Sequence, residues 1–438
     1  MRYSVVTFGC RVNQAESLRY EEDLRRRGGE AVSPECADLV VVNSCSVTAS
    51  ADQGTRQAIR RIARDNPAAR IVVTGCYATR RQDEVATLPG VIRLIPNDEK
   101  DRLVSTVTSE LGVTSAERFG KGEGSCGAVI EPGVAGRTAY SLRVQTGCEE
   151  RCTYCIIPST RGRCRSRPIE AVVAEVVRLH GAGFKEVVLT GVHLGAYGRD
   201  LSPSATLLDL LRALADRTAD ILFRIGSLEP MDCTPAVVDL VSRSGRFAPH
   251  FHLPLQHAAD PVLRAMRRPY TADTYRRLVD GVRDRLAHAF IGSDVIVGFP
   301  RESDADFQVM AAFLQASPLT GLHVFPYSDR PGTGAARLAP KVPGNDVRRR
   351  TAAIRTVAHE LSRRFRDSQV GTVRPGLTLE DGTLVVTDNY LKVRIPPGRA
   401  RNDRVAVRIL SAGETLAGTV RTVNEGPHPG GKEPGTRY

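Results

Sequence analysis

Two rhythms of apolar and polar positions run along the 438-residue chain. In the first, short β-branched runs alternate with charged amphipathic segments. Tyr3–Phe8 reads as a strand broken at Gly9-Cys10, and Gln14–Arg27 as a helix stopped by Gly28-Gly29. Leu39–Val42 reads as a second strand, ending at Asn43-Ser44-Cys45. Ser50–Asp65 is a predicted helix closed by Asn66-Pro67, because a residue before proline is pushed out of the α region. Ile71–Val73 is a third strand, ending at Thr74-Gly75-Cys76. Such alternation predicts a parallel βα sheet, here in an N-terminal domain over residues 1–115. Residues 116–136 hold six glycines and Pro132 and read as a linker.

The same rhythm resumes over 137–367. Predicted strands are Leu142–Gln145, Glu186–Leu189, Leu222–Ile225, His252–Leu255, Asp294–Val297 and Leu322–Phe325. Helical patterns fall between them at Ile169–His180, Thr206–Asp216, Pro235–Arg243, Thr271–Leu286 and Ala305–Gln315. About six βα units suit a partial (β/α)6 barrel with function at the C-terminal strand ends; periodicity alone leaves a doubly wound sheet open. After a basic helix at Asp346–Arg366, the second rhythm begins. Short alternating strands with Gly and Pro turns (Thr383–Thr387, Leu391–Ile395, Val405–Ile409, Thr415–Val423) predict a small all-β barrel over 368–438. The expected fold class is therefore α/β with an all-β C-terminal module.

Composition sharpens this picture in three places. No apolar run approaches the ~18 residues of a membrane span, and the N-terminus lacks a signal-peptide pattern, which predicts a cytoplasmic protein with no membrane partner. The net charge is +12, and residues 341–438, with 18 Lys+Arg against 10 Asp+Glu, hold two-thirds of it. Ten cysteines in such a chain point to metal or catalytic thiolates rather than a disulfide scaffold.

The sharpest local signal is Cys148-x3-Cys152-x2-Cys155, directly after a predicted barrel strand. Three thiolates at this spacing can hold three corners of a [4Fe–4S] cluster and leave the fourth iron open. A zinc knuckle recruiting Cys164 is the alternative, but zinc sites usually pair two such knuckles and no second one exists. Cys10, Cys45 and Cys76 form another constellation. Each follows a predicted strand, so a parallel sheet brings them to one edge, where ligands bind. Cys36 belongs to the opposite edge, and Cys126, Cys164 and Cys233 read as structural. Arg161, Arg163, Arg165 and Arg167 alternate after the first motif, either as a phosphate clamp or as a solvated loop. His193, His252 and His257 lie at strand ends and read as hydrogen-bonded pocket or core residues. The chain has no phosphate-loop, dinucleotide or HExxH motif, which argues against nucleotide hydrolysis and histidine-metal hydrolysis.

These motifs resemble a known family. The three-cysteine motif with Tyr154 is similar to the signature of radical S-adenosylmethionine enzymes. The string GCEERCTYCIIPSTRGRCRSR, with the segments around Cys10, Cys45 and Cys76, resembles the methylthiotransferases among them. HLPLQ (252–256), DVIVGFP (294–300) and LHVFPYSDRPGT (322–333) extend the match, and the C-terminal module resembles the RNA-binding TRAM domain. GCRVNQAES is most similar to the branch acting on N6-threonylcarbamoyladenosine at tRNA position 37. The chain departs from the family pattern at His257-Ala258-Ala259 and at Arg301, where a glycine is usual.

The resemblance implies two [4Fe–4S] clusters, one on Cys148, Cys152 and Cys155 that binds S-adenosylmethionine, and an auxiliary one on Cys10, Cys45 and Cys76. It implies cleavage of the cofactor to a 5′-deoxyadenosyl radical and delivery of a methylthio group to C2 of adenine. Tyr154, Thr190, Gly191 and Gln256 are the expected cofactor contacts. The expected partners are the tRNA anticodon loop, an electron-donor protein and a sulfur source. A ribosomal-protein aspartate methylthiotransferase is the alternative within the family; a non-catalytic iron–sulfur RNA-binding or electron-transfer protein is the alternative outside it.

Overall fold

Continuous β-branched runs require burial on both faces, and the N-terminal sheet provides it. Its strands are β1 (Arg2–Thr7), β2 (Glu30–Ala31), β3 (Leu39–Ser44), β4 (Arg70–Gly75) and β5 (Val91–Ile95). They run parallel in the order β2-β1-β3-β4-β5. Helices α1 (Arg11–Arg26) and α2 (Ala49–Asp65) follow β1 and β3. Thr48 caps α2 by accepting from the Ala51 amide at 3.2 Å. The strand Val91–Ile95 escaped the sequence reading: it is an edge strand with Ile92 and Arg93 exposed, so its apolar run is broken.

The computed structural model describes residues 1–110, 131–132, 138–413 and 415–420; Cys126 and nearly all of the expected linker lie outside them. The chain divides into two units, Met1–Arg363 and Arg364–Tyr438.

In the first unit the sheet is followed by β6 (Tyr140–Arg143), β7 (Gln145–Thr146), β8 (Arg165–Ser166), β9 (Glu186–Thr190), β10 (Leu222–Ile225), β11 (His250–His252), β12 (Phe290–Val297) and β13 (Gly321–Pro326). β7 and β8 pair antiparallel and close the loop between them. The other six run parallel in sequence order, with Phe223↔Phe247 and Ser227↔His252 bridges joining β10 to β11. Sequential order without a reversal makes an open (β/α)6 barrel rather than a doubly wound sheet. β11 ends at His252, three residues short of the expected Leu255; Pro254, lacking an N–H, cannot continue the ladder. One face of each strand packs on the helices, as with Phe251, Leu253, Val295 and Val297. Arg224, His252, Asp294 and His323 alternate with these and face the concave side.

Helix α1 of the N-terminal sheet packs across β6, and a buried carboxylate fixes it there. Arg161 Nη1 and Arg143 Nη1 donate to Glu16 Oε1 at 2.9 and 3.1 Å, and Lys100 Nζ donates to Oε2 at 2.5 Å. Burial alone would raise this carboxyl, but Arg161, Lys100 and Arg143 outweigh it and hold the pKa well below the ordinary 4.5.

The second unit is a closed barrel of β14 (Val373–Leu379), β15 (Leu384–Thr387), β16 (Lys392–Arg394), β17 (Arg404–Ser411) and β18 (Leu416–Val420), in the order β14-β15-β16-β18-β17. Sequence reading missed β14 because Pro375-Gly376 looks like a turn. Gly376 is needed where two strands press together: a Cβ there would sit 2.6 Å from the Val386 carbonyl oxygen.

Removing Glu16 strands three buried or half-buried cations. Glu16→Ala should therefore destabilise the first unit by about 3–5 kcal/mol, read from the urea unfolding midpoint. The folded pKa is depressed, so the wild-type contribution is complete above 4.5 and fades as the pH falls below it. The gap between wild type and variant should close in acid.

Candidate active site

The parallel sheet delivers Cys10, Cys45 and Cys76 to one edge, because β1, β3 and β4 are neighbours that end just before them. Cys10 is the N-cap of α1 and exposed, whereas Cys45 and Cys76 are buried. The approach is close: a Cβ on Gly9, held at φ 86°, would sit 2.4 Å from Cys45 Sγ. Burial pushes the Cys45 thiol up to about 11, and Cys10 and Cys76 add to this. At Cys76 burial acts the same way, but Arg161 and Lys100 outweigh it and draw the thiol down. Cys36 sits at the opposite edge beside Arg2, Leu39 and Arg70.

The second triad lies in the loop closed by β7 and β8. Gly147 opens it at φ 77°, where a Cβ would sit 1.9 Å from the Arg163 carbonyl oxygen, so only glycine passes. Cys148, Cys152 and Cys155 are all half-buried. Burial pushes Cys155 up to about 12, with Cys152 and Cys148 adding to it. The surrounding donors favour sulfur as an acceptor: the Ile157 amide donates to Cys155 Sγ at 3.4 Å, and Arg268 Nη1 to Cys152 Sγ at 3.2 Å. Three converging thiols with N–H donors aimed at their sulfurs fit the thiolate set of a [4Fe–4S] cluster. Cys164 directs its thiol toward the Gly147 carbonyl at 3.8 Å, and Cys233 is buried.

The helix Ile157–Arg161 links the triads. It begins at the Cys155 sulfur; near its end the Thr160 carbonyl accepts from Asn97 Nδ2 at 2.7 Å, and the same amide group lies 3.7 Å from Cys76 Sγ. Arg161 Nη2 also donates to Asn13 Oδ1 at 2.5 Å. Arg161 is thus neither a phosphate clamp nor a solvated residue, but a buried tie between sheet and barrel. Arg163 and Arg165 are exposed.

The expected cofactor contacts come from three places in the barrel: the cysteine loop, the end of β9 and the turn after β11. Tyr154 packs with Phe299, Ile296 and Ala335. Thr190 and Gly191 end β9, and Gln256 holds φ 67° while its amide donates to the Asp294 carbonyl at 2.8 Å. Sequence reading missed their support. Gln145 Oε1 accepts from the Val192 and His193 amides at 3.0 and 2.9 Å, while its Nε2 donates to the Gly147 carbonyl at 2.8 Å. This joins the Gly191 turn to the cysteine loop. His193 stands between Asp232 Oδ2 at 2.9 Å and Cys148 Sγ at 3.9 Å. Burial opposes its charge, but the Asp232 and Cys148 contacts outweigh burial and lift it to about 10. Arg301 occupies the usual glycine position at φ 71° and is exposed, its Nε donating to the Ala339 carbonyl at 2.8 Å.

Comparison with known proteins agrees with this geometry. Residues 2–96 match a family described as "Uncharacterized protein family UPF0004", and residues 142–314 match the Radical SAM superfamily. The chain is 35% identical over 401 residues to threonylcarbamoyladenosine tRNA methylthiotransferase MtaB of Aquifex aeolicus, covering 90% of this chain and 96% of that one. It is 33% identical to the Bacillus subtilis protein of the same name, covering 93% of each. Ribosomal protein uS12 methylthiotransferase RimO of Roseiflexus sp. is 33% identical, covering 85% and 84%. Among solved structures, the radical S-adenosylmethionine methyltransferase TsrM of Kitasatospora setae shares the fold, with TM-score 0.54 at 17% identity and 76% of each chain covered. That membership removes the non-catalytic reading, and the chain belongs to the radical S-adenosylmethionine methylthiotransferases.

Proposed function

We propose that the protein is a tRNA methylthiotransferase converting N6-threonylcarbamoyladenosine at position 37 to its 2-methylthio derivative. The observation that carries the reading is the joining of two cysteine triads, on a sheet edge and at a barrel mouth, by the single helix Ile157–Arg161. Such a helix of five residues is only about 7.5 Å long, which suits a reaction that passes sulfur to carbon between two centres. The relatives named for this substrate, at 35% and 33% identity, support it. The uS12 methylthiotransferase at 33% keeps a ribosomal aspartate as the second reading.

When bound, a [4Fe–4S] cluster on Cys148, Cys152 and Cys155 with S-adenosylmethionine supplies one-electron cleavage of the sulfonium, and a second cluster on Cys10, Cys45 and Cys76 supplies the sulfur. The chain's own residues position and shield. Gln145 fixes the Gly191 turn against the cysteine loop. Tyr154, Thr190, Gly191 and Gln256 bound the space for the cofactor. Tyr154 belongs to an apolar cluster with Phe299, Met266 and Tyr327, which keeps water from the loop. In the second unit, exposed Lys392 and Arg394 flank buried Val393 on β16, and exposed Arg404 precedes buried Val405 on β17, giving basic positions for RNA phosphates. An electron donor and a sulfur source complete the cycle.

Mass spectrometry of tRNA nucleosides from a deletion strain tests the substrate: the 2-methylthio derivative of threonylcarbamoyladenosine should disappear, and undiminished levels would sink the assignment. Reconstituted enzyme should hold about eight iron atoms per chain. Replacing Cys148, Cys152 and Cys155 by Ala should remove about half the iron and all 5′-deoxyadenosine formation. Replacing Cys10, Cys45 and Cys76 should also remove about half, spare 5′-deoxyadenosine and abolish methylthio product. Lys392→Ala with Arg394→Ala should weaken RNA binding and flatten its log–log salt slope by about 1–2, measured by fluorescence anisotropy.

A further inference from the structure

On the concave face of the barrel, β11, β12 and β13 bring three ionisable side chains together. His252 Nε2 and His323 Nδ1 both lie 3.0 Å from the same atom, Asp294 Oδ1. Parallel register places Asp294 opposite His323 and Ile296 opposite Phe325. The imidazole rings are 5.4 Å apart, and His252 Nδ1 is braced by Ser227 Oγ at 3.0 Å. The group is graded in exposure: the His252 and Asp294 side chains are 16% and 24% exposed, but that of His323 is 69% exposed. Two residues along the same face, Phe325 is 39% exposed with its ring 6.4 Å from His323. Its register partner Ile296 packs in the cluster containing Tyr154, next to Cys155.

The apolar core of the barrel lies on the opposite, helix-facing side of these strands. A carboxylate oxygen shared by two imidazoles, with an open imidazole edge beyond it, makes His323 a prepared donor. With Nδ1–H given to Asp294, a protonated His323 has Nε2–H left for a ligand. The Asp294 hydrogen bond favours that charged form, against burial and the charge of Arg11. Arg11, next to Cys10, is felt at both His323 and His250.

We propose that His323, oriented by Asp294, binds the carboxylate of the substrate's N6 substituent, with the adenine ring lying over Phe325 toward the cofactor side. The inference rests on the threonylcarbamoyladenosine reading, whose substrate carries one carboxylate on that substituent. His323 is a specificity residue here: it acts on the substituent, not at C2.

The test uses reconstituted full-length enzyme and two anticodon stem-loop RNAs, one carrying N6-threonylcarbamoyladenosine and the other its carboxamide. Loss of a charge-assisted hydrogen bond should raise KM about 10-fold or more for the carboxamide with wild type. His323→Gln should treat the two RNAs alike, within about 2-fold, through a raised KM for the acid; a merely structural role would weaken both equally and keep the ratio. Iron content checks that the variant is loaded, and the wild-type comparison needs no variant at all. Wild type that converts both RNAs without preference, or a variant that keeps the preference, overturns this inference alone. Wild type that converts neither overturns the substrate reading and the inference with it. One equivalent of zinc or manganese per chain, lost in His323→Gln, would make the cluster a metal site and equally overturn it.

Discussion

The architecture depends on one buried carboxylate. Glu16 sits on the helix that follows the first strand, yet its partners come from the short helix after β5 (Lys100), the barrel wall (Arg143) and the end of the cysteine-loop helix (Arg161). Buried ion pairs are poor sources of net stability, because desolvation offsets much of the attraction. What such a pair does well is penalise every arrangement that leaves it incomplete. With Glu16 surrounded by cations from three elements, sheet and barrel have a single low-energy register. That register sets the relation between the Cys76 edge and the Cys155 loop. A chemistry using both triads needs this relation fixed within a few tenths of an ångström, and loop contacts alone do not provide it.

The same economy governs the histidines. His193, His252 and His257 each face an acid: Asp232 at 2.9 Å, Asp294 at 3.0 Å and Glu302 at 3.5 Å. Where the pair is closed off, as at His257 and Glu302, it braces a turn: Glu302 Oε2 also accepts from the Gly298 amide at 2.7 Å. Where it borders the cysteine loop, as at His193, it places a charged ring beside a sulfur. Where it reaches the open face, through His323, it leaves a donor unspent. Burial decides which of these tasks a given acid–histidine pair performs.

Much of the architecture was legible because its signals are local. Parallel strands buried on both faces leave continuous apolar runs, and six of them spaced by helices leave a barrel or a doubly wound sheet, a choice made only by the strand order in space. The cysteines of the loop are close in sequence, and those of the sheet edge each follow a strand. What escaped depends on tertiary context. Val91–Ile95 is an edge strand without a clean apolar run, and Pro375-Gly376 is a strand crossing that mimics a turn. Gln145, Asn97 and Asp232 carry no pattern of their own, because a polar residue that satisfies buried backbone looks like any surface polar residue. Glu16 did leave a trace: Asn13, Glu16 and Ser17 fall on the same helical face as buried Tyr20 and Leu24, where apolar residues belong. Polar residues on a core stripe mark a buried network, and the partner that completes this one lies 145 residues away.

Glycine shows how strictly the cysteine loops are drawn. At Gly9, Gly75 and Gly147 the backbone has positive φ, and a methyl group would lie 2.4 Å or less from a neighbouring atom: the Cys45 sulfur, the Ser44 carbonyl oxygen and the Arg163 carbonyl oxygen respectively. Each of these glycines immediately precedes a cysteine of one triad, Cys10, Cys76 and Cys148. A chain needing only to turn there would tolerate asparagine or aspartate. Contact this close excludes every side chain, which means the cysteine positions are set by backbone packed against backbone or sulfur rather than by flexible loops. Rigid delivery of thiols has a consequence for binding: the ligands are positioned before anything is bound, so little conformational entropy is lost when a metal group enters. Burial is the larger cause of the upward push on Cys45 and Cys155, and pre-positioned thiols held close together add to it by repelling one another as thiolates. Arg161 and Lys100 already offset that repulsion at Cys76, and a cationic occupant offsets it across each triad.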